Sequence, residues 1–154
     1  MSDRLRYFED LEVGEIRRFG HYEVTREEVL EFAGKYDPQP FHLDDDAASQ
    51  THFGRLAASG WHTCSMTMAM MVESQKDAPR ALIGGAGIDE LRWLKPVHPG
   101  DVLSCETELL DKRRSASKPG MGILRQRTTT FNQHSEKVLS MITVIMVSTR
   151  GAED

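Results

Sequence analysis

With 154 residues, 28% of them charged and 39% hydrophobic, the chain has the composition of one folded domain over residues 1–154 and not that of a disordered tail. Its formal net charge of −5 argues against broad affinity for nucleic acid, which requires a basic field facing the phosphates. No stretch reaches the roughly 20 apolar residues of a bilayer span and the opening residues lack a secretory apolar segment, so a cytoplasmic protein without membrane attachment is expected.

Weak alternation from Glu15 to Val24 predicts a first strand. Thr25-Arg26-Glu27-Glu28 reads as a capping box, in which the threonine hydroxyl and the glutamate carboxylate each satisfy an unpaired amide. Val29, Phe32, Ala33 and Tyr36 follow at helical spacing, which predicts a helix from Thr25 to about Tyr36. Asp37-Pro38-Gln39-Pro40-Phe41-His42 cannot extend it, because each proline lacks an amide hydrogen and pushes its predecessor out of the α region. A stiff loop is expected there, then a short helix capped by Asp44 and a turn near Phe53-Gly54.

The most distinctive segment runs from Ser59 to about Gln75, a long helix with Ser59 as side-chain N-cap. Trp61, Cys64, Met68, Met71 and Val72 share one face, which is expected to be the buried one. Met66, Met68, Met70 and Met71 are read as core packing in preference to an adaptable groove. Strands are then predicted over Ala81–Val97, Asp101–Asp111, Gly122–Gln133 and Lys137–Ser148, with Gly84, Gly85 and Gly87 marking a kink or bulge. Lys112, Arg113 and Arg114 are expected on a solvated turn, and Cys64 and Cys105 as buried free thiols. Helices early, a long apolar helix in the middle and an antiparallel meander late imply an α+β domain with a sheet wrapped on one helix.

Two constellations carry chemistry. Adding water to a double bond needs a base for one proton and an acid for another, and Asp37 beside His42 on a rigid loop can share those tasks near neutral pH. Asp and His in a proline-rich turn also serve as plain hydrogen-bonding groups, so the pair needs a partner device. Ala57-Ala58-Ser59-Gly60-Trp61 supplies a candidate: first-turn amides lack intrahelical acceptors, and Gly60 has no side chain to block an approaching oxygen. His21, His52, His62, His98 and His134 show no metal-ligand spacing, so no metal site is expected.

Asp37, Pro40, His42 and Ala48 match in register the motif of the MaoC-like dehydratases, a family that includes the (R)-specific enoyl-CoA hydratases, and the chain resembles that family from about Phe8 to Val147. Phe53, Ala58-Ser59-Gly60 and Leu91–Val97 followed by Pro99-Gly100-Asp101 extend the resemblance. It implies a hot-dog fold, a homodimer or higher homo-oligomer that joins two sheets into one, and active sites near the subunit interface. It further implies Asp37 and His42 as catalytic residues around one water, and the Gly60 amide on a thioester carbonyl. Gln39, Phe41, Ser59, Trp61 and Gly87 are expected to bind substrate, an acyl-CoA, with no separate cofactor. Gln39, Tyr36, Phe41, Ser59 and Met68 depart from the family's usual residues, and bulky Tyr36, Phe41 and Trp61 are expected to narrow the acyl pocket. The activity implied is reversible hydration of a trans-2-enoyl-CoA to an (R)-3-hydroxyacyl-CoA. The alternatives are an acyl-CoA thioesterase and a non-catalytic acyl-CoA-binding module.

Overall fold

Strict alternation of buried and half-exposed residues along Val102–Leu109 marks one face of a strand turned to a core, and the computed structural model, which describes residues 4–151, shows what that face meets. The chain forms β1 (Ile16–Glu23), α1 (Arg26–Tyr36), α2 (Asp45–Ser49) and α3 (Gly60–Ser74). Four long strands follow: β2 (Leu82–Trp93), β3 (Val102–Arg114), β4 (Met121–Phe131) and β5 (Lys137–Ser148). All pairings are antiparallel in the order β1-β3-β4-β5-β2, so β1 and β2 are the two edges. One face of this sheet packs on α3: Met66 and Met70 meet Leu103, Cys105, Val138, Leu139 and Met141 in one core cluster. This is the expected hot-dog arrangement, α+β with an antiparallel sheet around a central helix.

The buried face of α3 is the reverse of the hydropathic one. His62, Thr63, Met66, Thr67 and Met70 are buried, whereas Trp61, Met68 and Val72 are exposed in the single chain. Small polar residues win because they let the helix approach the sheet closely while a partner takes the hydroxyl: Thr67 Oγ1 lies 2.7 Å from Thr130 Oγ1, both fully buried. Cys64 and Met71 are half-buried and pack against the core cluster from its flank, whereas Met68 is exposed beside a groove along β2. Close approach also explains the bulge in β1, where Gly20 has φ +94 and any Cβ would stand 2.5 Å from the Met70 sulfur.

Other expectations shift for equally local reasons. Thr25 caps α1 by accepting from the Glu28 amide at 3.2 Å, but the Glu28 carboxylate turns away from the capping box to Tyr22 and His62. The glycine-rich part of β2 is bulged, with a register shift between Gly85 and Gly87. Lys112 and Arg114 lie on β3 and not on a turn, and both cations stand over the Phe8 ring, at 4.7 and 5.2 Å. Cys105 is buried and Cys64 half-buried, both free.

Candidate active site

Asp37 ends α1 and His42 ends the 3-10 turn Pro40–His42, so the two prolines between them set their spacing. His42 is 4% exposed, and its Nδ1 lies 2.7 Å from the Ala57 carbonyl oxygen. A carbonyl only accepts, so Nδ1 carries the hydrogen and a neutral ring presents its Nε2 lone pair. That Nε2 faces Asp37 Oδ2 at 3.4 Å. The separation is long for a direct bond, and it suits one water about 2.8 Å from each atom. Phe41 packs its ring edgewise on His42 at 4.6 Å and stacks on Phe53 at 5.3 Å. It therefore buttresses the imidazole from behind.

Asp37 is held as an acceptor from two further sides. Gln39 Nε2 donates to Oδ1 at 2.6 Å and Ser59 Oγ donates to Oδ2 at 2.7 Å. Burial opposes ionisation of this carboxyl, but the Gln39 and Ser59 hydrogen bonds and the nearby His42 outweigh it and hold the group below the usual aspartate range. The Ser59 hydroxyl is therefore committed to Asp37 and does not cap α3, which has no side-chain cap at all. This corrects its expected capping role. The consequence is favourable for chemistry, because the first-turn amides at Gly60 are left for another acceptor.

These groups open on a cleft of ≈ 510 Å³ lined by Asp37, Gln39, His42, Gly60, Trp61 and Trp93. Trp93 reaches over from the end of β2, donating from Nε1 to the Gly60 carbonyl oxygen at 2.9 Å and meeting Trp61 edge-on at 5.3 Å. A Cβ on residue 60 would fall 2.6 Å from the Trp93 ring, so glycine is required by this packing as well as by any approaching oxygen. Trp93 was not singled out from sequence as a site residue. Its place in Leu91–Val97, a segment already part of the resemblance, was the available signal. Among the described residues, no group of three or more His, Cys, Asp or Glu side chains could hold a metal ion.

Gly87 lies apart from this cleft. It borders a separate groove of ≈ 520 Å³ between α3 and β2, with Met68, Met71, Leu82, Ile88 and Ile145. Tyr36, 63% exposed, borders a third cleft with Phe32 and His62 and does not narrow the one at Asp37.

Residues 11–130 match the model of the MaoC like domain family. A MaoC-like dehydratase structure from Rhodospirillum rubrum superposes with a TM-score of 0.86 at 42% identity, covering 94% of this chain and 97% of that one. The R-hydratase PhaJ1 of Pseudomonas aeruginosa gives 0.69 at 25% identity, covering 94% and 86%. A 3-hydroxybutyryl-CoA dehydratase of Methylorubrum extorquens is 32% identical over 117 residues, 73% of this chain and 71% of that protein. Some curated relatives are much longer, and of one the chain spans only 34% of the length.

Proposed function

Because the chain belongs to the MaoC-like domain family, we propose that it adds water reversibly to a trans-2-enoyl-CoA and yields an (R)-3-hydroxyacyl-CoA. The observation that carries this reading is the imidazole nitrogen of His42 facing the Asp37 carboxylate across 3.4 Å, beside an uncapped helix end. In hydration, His42 Nε2 takes a proton from water as its oxygen bonds the β-carbon, and the His42–Asp37 pair then returns that proton to the α-carbon, which restores the neutral imidazole. Charge gathers meanwhile on the thioester oxygen, where the Gly60 amide and the positive end of α3 stabilise it. Ser59 and Gln39 keep Asp37 ionised and oriented toward the water. The names of two curated relatives, a mesaconyl-CoA hydratase and a 3-hydroxybutyryl-CoA dehydratase, support a CoA thioester as substrate.

Assembly belongs to the same reading. β2 is an edge strand with Leu82, Ile83 and Ile88 exposed, and the neighbouring face of α3 exposes Met68 and Val72. A long apolar edge of this kind pairs with another strand unless it is covered. A second copy joining its own β2 there makes a homodimer with one continuous sheet.

The test follows crotonyl-CoA absorbance with folded Asp37→Asn and His42→Ala variants, together with assay of free thiol. Loss of turnover in both with no thiol release supports hydration. Full activity in both ends the assignment, and thiol release replaces it by thioester hydrolysis.

A further inference from the structure

At the end of α3 remote from the cleft, Arg6, Arg17 and Arg80 converge on one small cavity of ≈ 20 Å³, lined also by Glu15, Thr107 and Gln126. Arg6 Nη1 donates to Glu15 at 2.7 Å and Arg80 Nη1 to Gln126 Oε1 at 2.9 Å. The chain backbone clamps the first and last of these arginines together, since the Arg6 amide donates to the Pro79 carbonyl at 3.0 Å and the Ala81 amide to that of Arg6 at 2.8 Å. Yet the Nε atoms of both Arg6 and Arg80 are buried without a partner, and a buried donor left unpaired is costly.

The charges do not balance either. Three guanidinium groups face one carboxylate, Glu15. The last turn of α3 adds about half a negative charge, but its carbonyls already accept from the amides of Gln75, Lys76 and Asp77. Burial, then the positive charges of Arg6 and Arg17, push Arg80 down to about 10 against the opposing pull of Glu15. An inward-pointing arginine on edge strand β1 also protects that edge from strange pairing, which accounts for Arg17. It does not account for the two half-buried guanidiniums next to it, each of which pairs its Nη1 but leaves a buried Nε donor idle. A water would satisfy the donors and leave the surplus charge.

We propose that this cavity binds a small inorganic anion of chloride size, which receives Nε–H bonds from Arg6 and Arg80 and balances the arginine cluster. Its volume suits one or two water-sized guests, which is too small for a phosphate ester or a carboxylic acid with a chain. The site stands apart from the Asp37 cleft and does not rest on the hydration reading.

Thermal unfolding at constant ionic strength tests it, with sodium chloride or bromide set against sodium gluconate, whose anion cannot enter. The expected result is a saturable rise in Tm of about 3 °C in halide, abolished in Arg80→Gln and retained in Lys76→Gln, whose lysine pairs with Glu73 on the surface. Crystals grown in bromide are expected to show an anomalous peak within bonding distance of both Nε atoms, a readout that stands even where Arg80→Gln fails to fold. Equal Tm in halide and gluconate overturns the proposal, as does a halide response that survives Arg80→Gln, or a bromide-free cavity in those crystals.

Discussion

His42 presents Nε2 to Asp37 Oδ2 at 3.4 Å because its other nitrogen is pinned 2.7 Å from the Ala57 carbonyl. The backbone thus selects the tautomer, and the carboxylate meets the nitrogen that is free to take a proton. Replacing His42 with Gln is expected to lower kcat by about 10²–10⁴-fold, the usual worth of a positioned acid–base group, while KM changes little. Steady-state hydration kinetics with crotonyl-CoA check this.

Ser59 is fully buried and spends its hydroxyl on Asp37. Ser59→Ala should therefore raise the Asp37 pKa and move the acid limb of the kcat/KM profile to higher pH. Stability gives an independent readout. A carboxyl held low in the folded state stabilises the protein above the ordinary aspartate range, and that contribution is lost as pH falls through the folded value. On acidification from about pH 5, the Ser59→Ala variant is expected to lose less stability than the parent, measured by urea unfolding at each pH.

Gly60→Ala places a methyl group 2.6 Å from the Trp93 ring. It should displace Trp93, break the 2.9 Å bond from its indole to the Gly60 carbonyl, and cost about 1–3 kcal/mol through overpacking. Relieving the clash with Trp93→Leu restores stability, whereas turnover stays low if the methyl also covers the amide. Calorimetry and activity measured on both variants separate the two effects.

His62 stacks on Phe32 at 4.7 Å and lies 3.2 Å from Glu28. Burial lowers its pKa despite the attraction of Glu28, so the unfolded chain takes up a proton at a higher pH than the native one. Stability should fall as pH drops below about 6.5, the ordinary histidine value. The variant His62→Gln is expected to flatten that part of the pH–stability curve.

Sedimentation of the intact chain should report a dimer if β2 is the joining edge. Ile88→Lys, placing a charge on an exposed edge residue, is expected to shift it to monomer without unfolding it.

Much of this was legible in local chemistry. The prolines at 38 and 40 end α1 and stiffen the loop, the Thr25 and Asp44 caps start their helices, and the β-branched runs of β4 and β5 make strands. Each depends on neighbours in sequence, which is why spacing was enough to place Asp37 and His42 on one rigid turn. The hot-dog arrangement came from the motif resemblance and the element order together.

Long-range competition decided the rest. Ser59 had two candidate partners, its own helix amides and a carboxylate 22 residues earlier, and only the fold brings Asp37 within 2.7 Å. Glu28 had the same choice and left its capping box for Tyr22 and His62. Hydropathy alone turns Trp61, Met68 and Val72 of α3 inward, but Thr63 and Thr67 take that place beside Met66 and Met70, because the fold brings the Thr67 hydroxyl within 2.7 Å of Thr130. Sequence names the groups that can bond; which bond forms depends on what the packed chain carries to within reach.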